Sequence, residues 1–229
     1  MTQCQIGNNE YYLCYFLCSM ASETTHVMCM CLLSHSYIWS FNEFMGQHSE
    51  GYGNLGFDGD MVSVFTMGVS GATVGHGPKC ISSYLARVIQ GRPHIIYLHI
   101  GGNEFRPNPN HGKHPNHPPV VASHIRRLVN QLLSHASVVI ISQLLSFPAA
   151  DEQKALIVQC NNCLKATHQH SVTVLYCHYR GGFWNPPGKL LMHGCRRNLF
   201  DGMGVHLSEE GQKAYWRSFR WQLKRVCRN

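Results

Sequence analysis

Five short apolar runs punctuate the chain: Val27–Leu33 (VMCMCLL), Met61–Met67 (MVSVFTM), Ile95–Ile100 (IIYLHI), Val138–Ser142 (VVIIS) and Val172–Tyr176 (VTVLY). They are short and largely continuous rather than alternating, and most are rich in β-branched or aromatic residues. That pattern predicts strands buried on both faces, as in a parallel sheet. Between the runs the apolar spacing changes to three and four. Ile81, Tyr84, Leu85, Val88 and Ile89 fall on one helical face, and Ile125, Leu128, Val129, Leu132 and Leu133 on another. Leu156, Ile157, Cys160, Cys163 and Leu164 make a third stripe. Leu207, Gly211, Tyr215, Phe219, Leu223 and Val226 make a fourth, with Ser208 as N-cap and Glu209 and Glu210 in the first turn.

Strand–helix alternation over this length predicts an α/β fold with a mostly parallel five-stranded sheet covered by helices on both faces. One domain over residues 26–229 is expected, preceded by a poorly specified extension at 1–25. Two stretches break the pattern. Asn103–Pro119 (NEFRPNPNHGKHPNHPP) is too rich in Pro, Asn and His for a regular element, and Gly181–Gly204 is the second. Both follow strands, and in open α/β sheets sites gather beyond the carboxyl ends of strands. Long loops there are expected to wall a pocket.

Composition narrows the picture. Of 229 residues 44% are hydrophobic, enough for a sizeable core, and only 14% are charged, without the composition of a disordered chain. The net charge of +7 is concentrated at the end, where Lys213, Arg217, Arg220, Lys224, Arg225 and Arg228 follow the last acid, Glu210. Such a helix can present a solvated basic face, or touch nucleic acid. The 11 cysteines lack framework spacing and several lie in apolar runs, where free thiols act as small hydrophobes. With no clear signal peptide, an intracellular location is expected. Cys160 and Cys163 form a lone CxxC on a helical stripe and read as core. No run reaches the roughly 18 apolar residues of a membrane span.

Four short motifs then fall at strand ends or loops in a fixed order. Ser36 follows the first run, Gly71 the second and Asn103 the third. His206 precedes the last helix, in Gly204-Val205-His206-Leu207-Ser208. A serine hydroxyl needs a neighbouring base to become a nucleophile. A tetrahedral intermediate needs fixed donors for its oxyanion. Taken singly, each residue suits an ordinary turn, cap or loop. Together, over about residues 27–226, they resemble the SGNH hydrolases, or GDSL-type esterases, named for Ser, Gly, Asn and His in four such blocks. The resemblance implies a three-layer α/β/α sandwich of the flavodoxin-like kind. It also implies Ser36 as nucleophile, His206 as base, and an oxyanion hole made by the Ser36 and Gly71 backbone N–H groups and the Asn103 side chain. No cofactor or metal is implied.

The blocks depart from the family pattern in three places. The first reads Ser34-His35-Ser36, without the family's leading glycine. The third reads Gly101-Gly102-Asn103-Glu104, with Glu where the family has Asp. In the last, the family's acid stands three residues before the histidine; here that residue is Met203, which cannot orient an imidazole. Asp201, five residues before His206, is the substitute, provided the two glycines between let the loop fold back. A dyad or a lost triad are the alternatives. His111, His114 and His117 lack a completing acid or thiol and read as loop residues rather than a metal site. Phe183-Trp184-Asn185-Pro186-Pro187 suits either an acyl or sugar cover or a satellite apolar cluster. The expected activity is serine ester hydrolysis on a small-molecule, glycan or lipid ester. An inactive domain kept for binding, associated with nucleic acid or a mobile-element protein, is the alternative, and the oligomeric state is open.

Overall fold

The structure is a computed structural model, and it describes residues 27–48, 53–75, 79–106, 116–145, 151–168, 170–177, 197–202 and 206–228. The strands are β1 (Met28–Ser34), β2 (Val62–Gly68), β3 (Ile95–His99), β4 (Val138–Ser142) and β5 (Val174–Cys177). All pair in parallel, in the order β2-β1-β3-β4-β5. The five apolar runs are thus the five strands, shifted by a residue or two at their ends. The helices are α1 (Ser36–Gln47), α2 (Leu85–Gln90), α3 (Pro118–Leu133), α4 (Asp151–His168) and α5 (Glu209–Arg228).

Every residue of β3 and β4 is buried, as sandwiching between helix layers requires. The chain runs from β1 outward to β2, then back across β1 to β3 and on to β4 and β5. With right-handed crossovers that reversal puts α1 and α5 on one face and α2, α3 and α4 on the other. The first face is aromatic: Phe41 of α1 meets Tyr215 of α5 edge-on at 5.4 Å, and Tyr97 of β3 lies 4.1 Å from Phe219. Burial of such rings contributes roughly 1.5–3 kcal/mol each.

Three sequence expectations are revised. The first helix, α1, was not among the four stripes. Yet Tyr37, Ile38, Phe41, Phe44 and Met45 are buried at helical spacing along it. Its aromatic, β-branched content suits a strand equally well, which hides the period. The 81–89 stripe is a 3-10 turn (Ile81–Tyr84) followed by the six-residue α2 rather than one helix. Pro118 and Pro119 belong to α3 and not to the irregular stretch, because proline's fixed φ and missing N–H suit a first helical turn. The 1–25 extension, His111, His114, Met203 and the 183–187 aromatic loop lie outside the described residues.

Candidate active site

The strand order reverses between β1 and β3, and there the carboxyl ends of neighbouring strands lead their connections apart, leaving a crevice. Ser36, Gly71 and Asn103 all stand at this edge, each just beyond the end of β1, β2 or β3.

Ser36 is the first residue of α1, with His35 at the N-cap, and it is buried. A residue there has a backbone N–H with no partner inside the helix. The helix dipole adds partial positive charge to the same end. Ser34 sits in β1, its hydroxyl donates to the His99 carbonyl of β3, and its own carbonyl accepts the Val69 N–H beyond β2. The three strand ends that carry the blocks are therefore tied to one another at Ser34.

Gly71 has φ +71, a conformation that L side chains adopt at a cost. It is the third residue of a tight turn closed by the Ala72 N–H on the Val69 carbonyl at 3.1 Å. Asn103 lies in a 3-10 turn over Gly102–Phe105, entered through Gly101 at φ +118. Its side-chain amide donates to the Ala72 carbonyl at 2.8 Å. One of its two amide hydrogens therefore fixes the Gly71 turn, and among the described residues no hydrogen bond engages the other.

His206 and Asp201 come together. The loop between them is closed by an antiparallel bridge between Phe200 and Leu207, with the Asp201 N–H on the His206 carbonyl at 2.8 Å. The Asp201 carboxylate takes the His206 N–H at 3.3 Å through Oδ1, while Oδ2 stands 3.5 Å from His206 Nδ1. The two side chains are 38% and 29% exposed, so water screens the pair, and its value lies in orienting the ring more than in stability. Among the described residues no hydrogen bond links the Ser36 hydroxyl to His206.

Behind Ser36 lies a buried polar group that the sequence reading missed. His35 is 1% exposed, with its ring 4.5 Å from Tyr37 and 5.3 Å from His99. His99 shares a hydrogen bond of 2.9 Å between Nδ1 and the Tyr215 hydroxyl of α5. Burial pushes the His35 pKa well below the usual range, helped by His99, Arg106 and His206 nearby. Burial alone pushes His99 down to about 3, so both rings are neutral at ordinary pH. A signal was present in the sequence, since His99 interrupts an otherwise apolar strand, but Tyr215 reads there as one more core position.

Other candidates are placed elsewhere. Cys160 and Cys163 lie on α4 as free thiols, with Cys160 buried and its pKa pushed up to about 12 by burial. Such a thiol is inert. Among the described residues no group of three metal-ligating side chains comes together, and no helix is long and apolar enough to cross a membrane. On α5, Lys213 pairs with Glu209, while Arg220 donates to the Gly56 carbonyl and lies over the Trp216 ring at 5.2 Å. Two of the basic side chains are thus engaged within the molecule.

No family profile and no curated protein matches the chain. Solved structures do. A Bacteroides fragilis protein assigned as an acylhydrolase superposes with a TM-score of 0.63 at 14% identity, covering 98% of this chain and 100% of its own. A GDSL-like lipase of Bacteroides thetaiotaomicron gives 0.60 at 14% identity over 96% and 98%. Axe2, an acetylxylan esterase of Geobacillus stearothermophilus, gives 0.58 at 16% identity over 87% and 94%. The chain has the fold of the SGNH (GDSL-type) hydrolases, a three-layer α/β/α sandwich.

Proposed function

We propose that the protein is a carboxylic ester hydrolase working through an acyl-enzyme on Ser36. His206 takes the Ser36 proton as the hydroxyl oxygen attacks the ester carbonyl. Asp201 holds the imidazole ring and stabilises the imidazolium. The Ser36 and Gly71 N–H groups and the second Asn103 amide hydrogen receive the oxyanion. As the tetrahedral intermediate collapses, His206 returns the proton to the leaving alcohol, and water, deprotonated by the same ring, then releases the acid.

The observation that carries this reading is the Asp201 carboxylate at 3.5 Å from His206 Nδ1, in a chain where Met203 stands in the place of the family's acid. The fold's acylhydrolase, lipase and acetylxylan esterase neighbours support an ester as substrate. A second reading, an inactive domain kept for ligand binding, is favoured by Met203 itself.

Fluorophosphonate labelling of the folded protein, with the modified residue located by mass spectrometry, separates the two. The hydrolase reading expects labelling at Ser36 that is lost in His206→Ala. A folded protein left unlabelled would instead point to the binding domain.

A further inference from the structure

Glu104 follows the Asn103 of the candidate oxyanion hole, and its side chain is directed not to solvent but into the loop that carries Gly71. It is only 6% exposed. One carboxylate oxygen, Oε1, accepts the backbone N–H of Val74. The other, Oε2, is buried and has no hydrogen-bond partner among the described residues. Burial raises the Glu104 pKa, and the backbone N–H groups of Val74, of Glu104 itself and of Gly75 pull against that rise. A carboxylate so placed costs desolvation that an apolar side chain would not. Global stability is therefore a poor account of it, and its one firm product is the hold on Val74.

The turn from which Glu104 reaches is itself anchored. Gly101, at φ +118, lets the chain pass where a Cβ would stand 2.9 Å from Ile125 Cδ1. The Phe105 carbonyl accepts the Gln153 side-chain amide of α4 at 2.8 Å, and the Glu104 carbonyl accepts the Asn116 N–H at 3.3 Å. From this fixed base two adjacent side chains grip the loop after β2 at alternate residues. Asn103 holds the Ala72 carbonyl, and Glu104 holds the Val74 N–H. Thr73, between them, is tied on its other side by its N–H to the Lys79 carbonyl at 3.0 Å and its carbonyl to the Ile81 N–H at 2.9 Å. Gly71 has no side chain to lock its own position, so the place of its N–H is set by this grip on one side and by the Val69–Ala72 turn bond on the other.

We infer that Glu104 is a positioning residue for the oxyanion hole, acting through Val74 to fix the Gly71 N–H. The inference rests on the proposed ester hydrolysis for its catalytic consequence but not for the loop it holds. It makes distinct demands on three substitutions. Gln keeps an oxygen at the Oε1 position. Asp is one methylene short of Val74. Ala has no acceptor.

Two measurements on the full chain test it. The first is amide hydrogen exchange of the peptide spanning 69–75. Glu104→Ala and Glu104→Asp should exchange there at least tenfold faster than wild type, with β1 and β3 unchanged, and Glu104→Gln should match wild type. Equal protection of 69–75 in Glu104→Ala and wild type would overturn the inference, as would acceleration spread evenly over the sheet. The second is turnover of 4-nitrophenyl acetate. Loss of one oxyanion donor costs about 10²–10³ in kcat. A displaced donor should therefore lower kcat by roughly tenfold or more in Glu104→Ala, with KM near wild type and recovery in Glu104→Gln. Unchanged kcat in a loosened loop would remove the catalytic part of the inference. Wild-type protein that neither labels at Ser36 nor turns over ester would sink the hydrolase reading alone, and the exchange result would still decide what Glu104 holds.

Discussion

At the scale of single residues, Asp201 is the sharpest point. Its carboxylate both accepts the His206 N–H and faces the ring nitrogen. Asp201→Asn keeps the oxygen for the backbone bond and loses the charge that would stabilise an imidazolium. The rate of Ser36 labelling is expected to fall by roughly 10³–10⁴. The melting temperature should move by no more than a few degrees, because a half-exposed pair contributes at most about 1 kcal/mol. His99 makes a different claim. An unfolded histidine takes up its proton near pH 6.5, whereas buried His99 resists protonation down to about 3. Between those values the unfolded chain binds more protons than the folded one. Stability is therefore full above about pH 6.5 and falls as the pH drops. Thermal melts from pH 7 to pH 4 should show this decline, and it should be shallower in His99→Gln, which retains a partner for Tyr215.

At the scale of elements, Gly211 decides how α5 meets the loop bearing Asp201 and His206. A Cβ at Gly211 would stand 2.0 Å from the Leu199 carbonyl oxygen and 3.1 Å from Leu207 Cβ, the two flanks of that loop. Gly211→Ala must push the loop away from the helix. Overpacking of this kind costs about 1–3 kcal/mol. Calorimetry should show a drop of several degrees, together with slower labelling at Ser36. The strands were legible because burial on both faces leaves an unbroken apolar run, and α3 and α5 because their apolar stripes are clean. α1 was not, because Tyr37, Ile38, Phe41 and Phe44 satisfy strand and helix preferences alike. The placement of Ser36, Gly71 and Asn103 beyond the ends of β1, β2 and β3 could be read from order alone. The polar group behind Ser36 could not, since His35, His99 and Tyr215 lie on three elements and only packing brings them together. The pairing of Asp201 with His206 lay between these cases. The sequence offered the residue and its glycines, while the closing bridge from Phe200 to Leu207 involves backbone groups that carry no sequence mark.

At the scale of the whole molecule, the two edges of the sheet differ in kind. The carboxyl edge gathers Ser36, Gly71 and Asn103. The amino edge carries an open cavity of about 460 Å³ lined by residues that include Arg92, His94 and His135. That cavity lies at the far ends of β3 and β4, so Arg92→Ala should leave the rate of Ser36 labelling within twofold of wild type. A larger effect would mean that the edges communicate through the strands. The bridge that holds Asp201 against His206 has a further consequence. Asp201 and His206 sit at the two ends of one loop whose flanks are fastened to each other, so their mutual placement depends on that fastening rather than on the count of residues between them. A residue inserted between Gly202 and Val205 should therefore disturb the pair less than the loss of the bond between the Asp201 N–H and the His206 carbonyl.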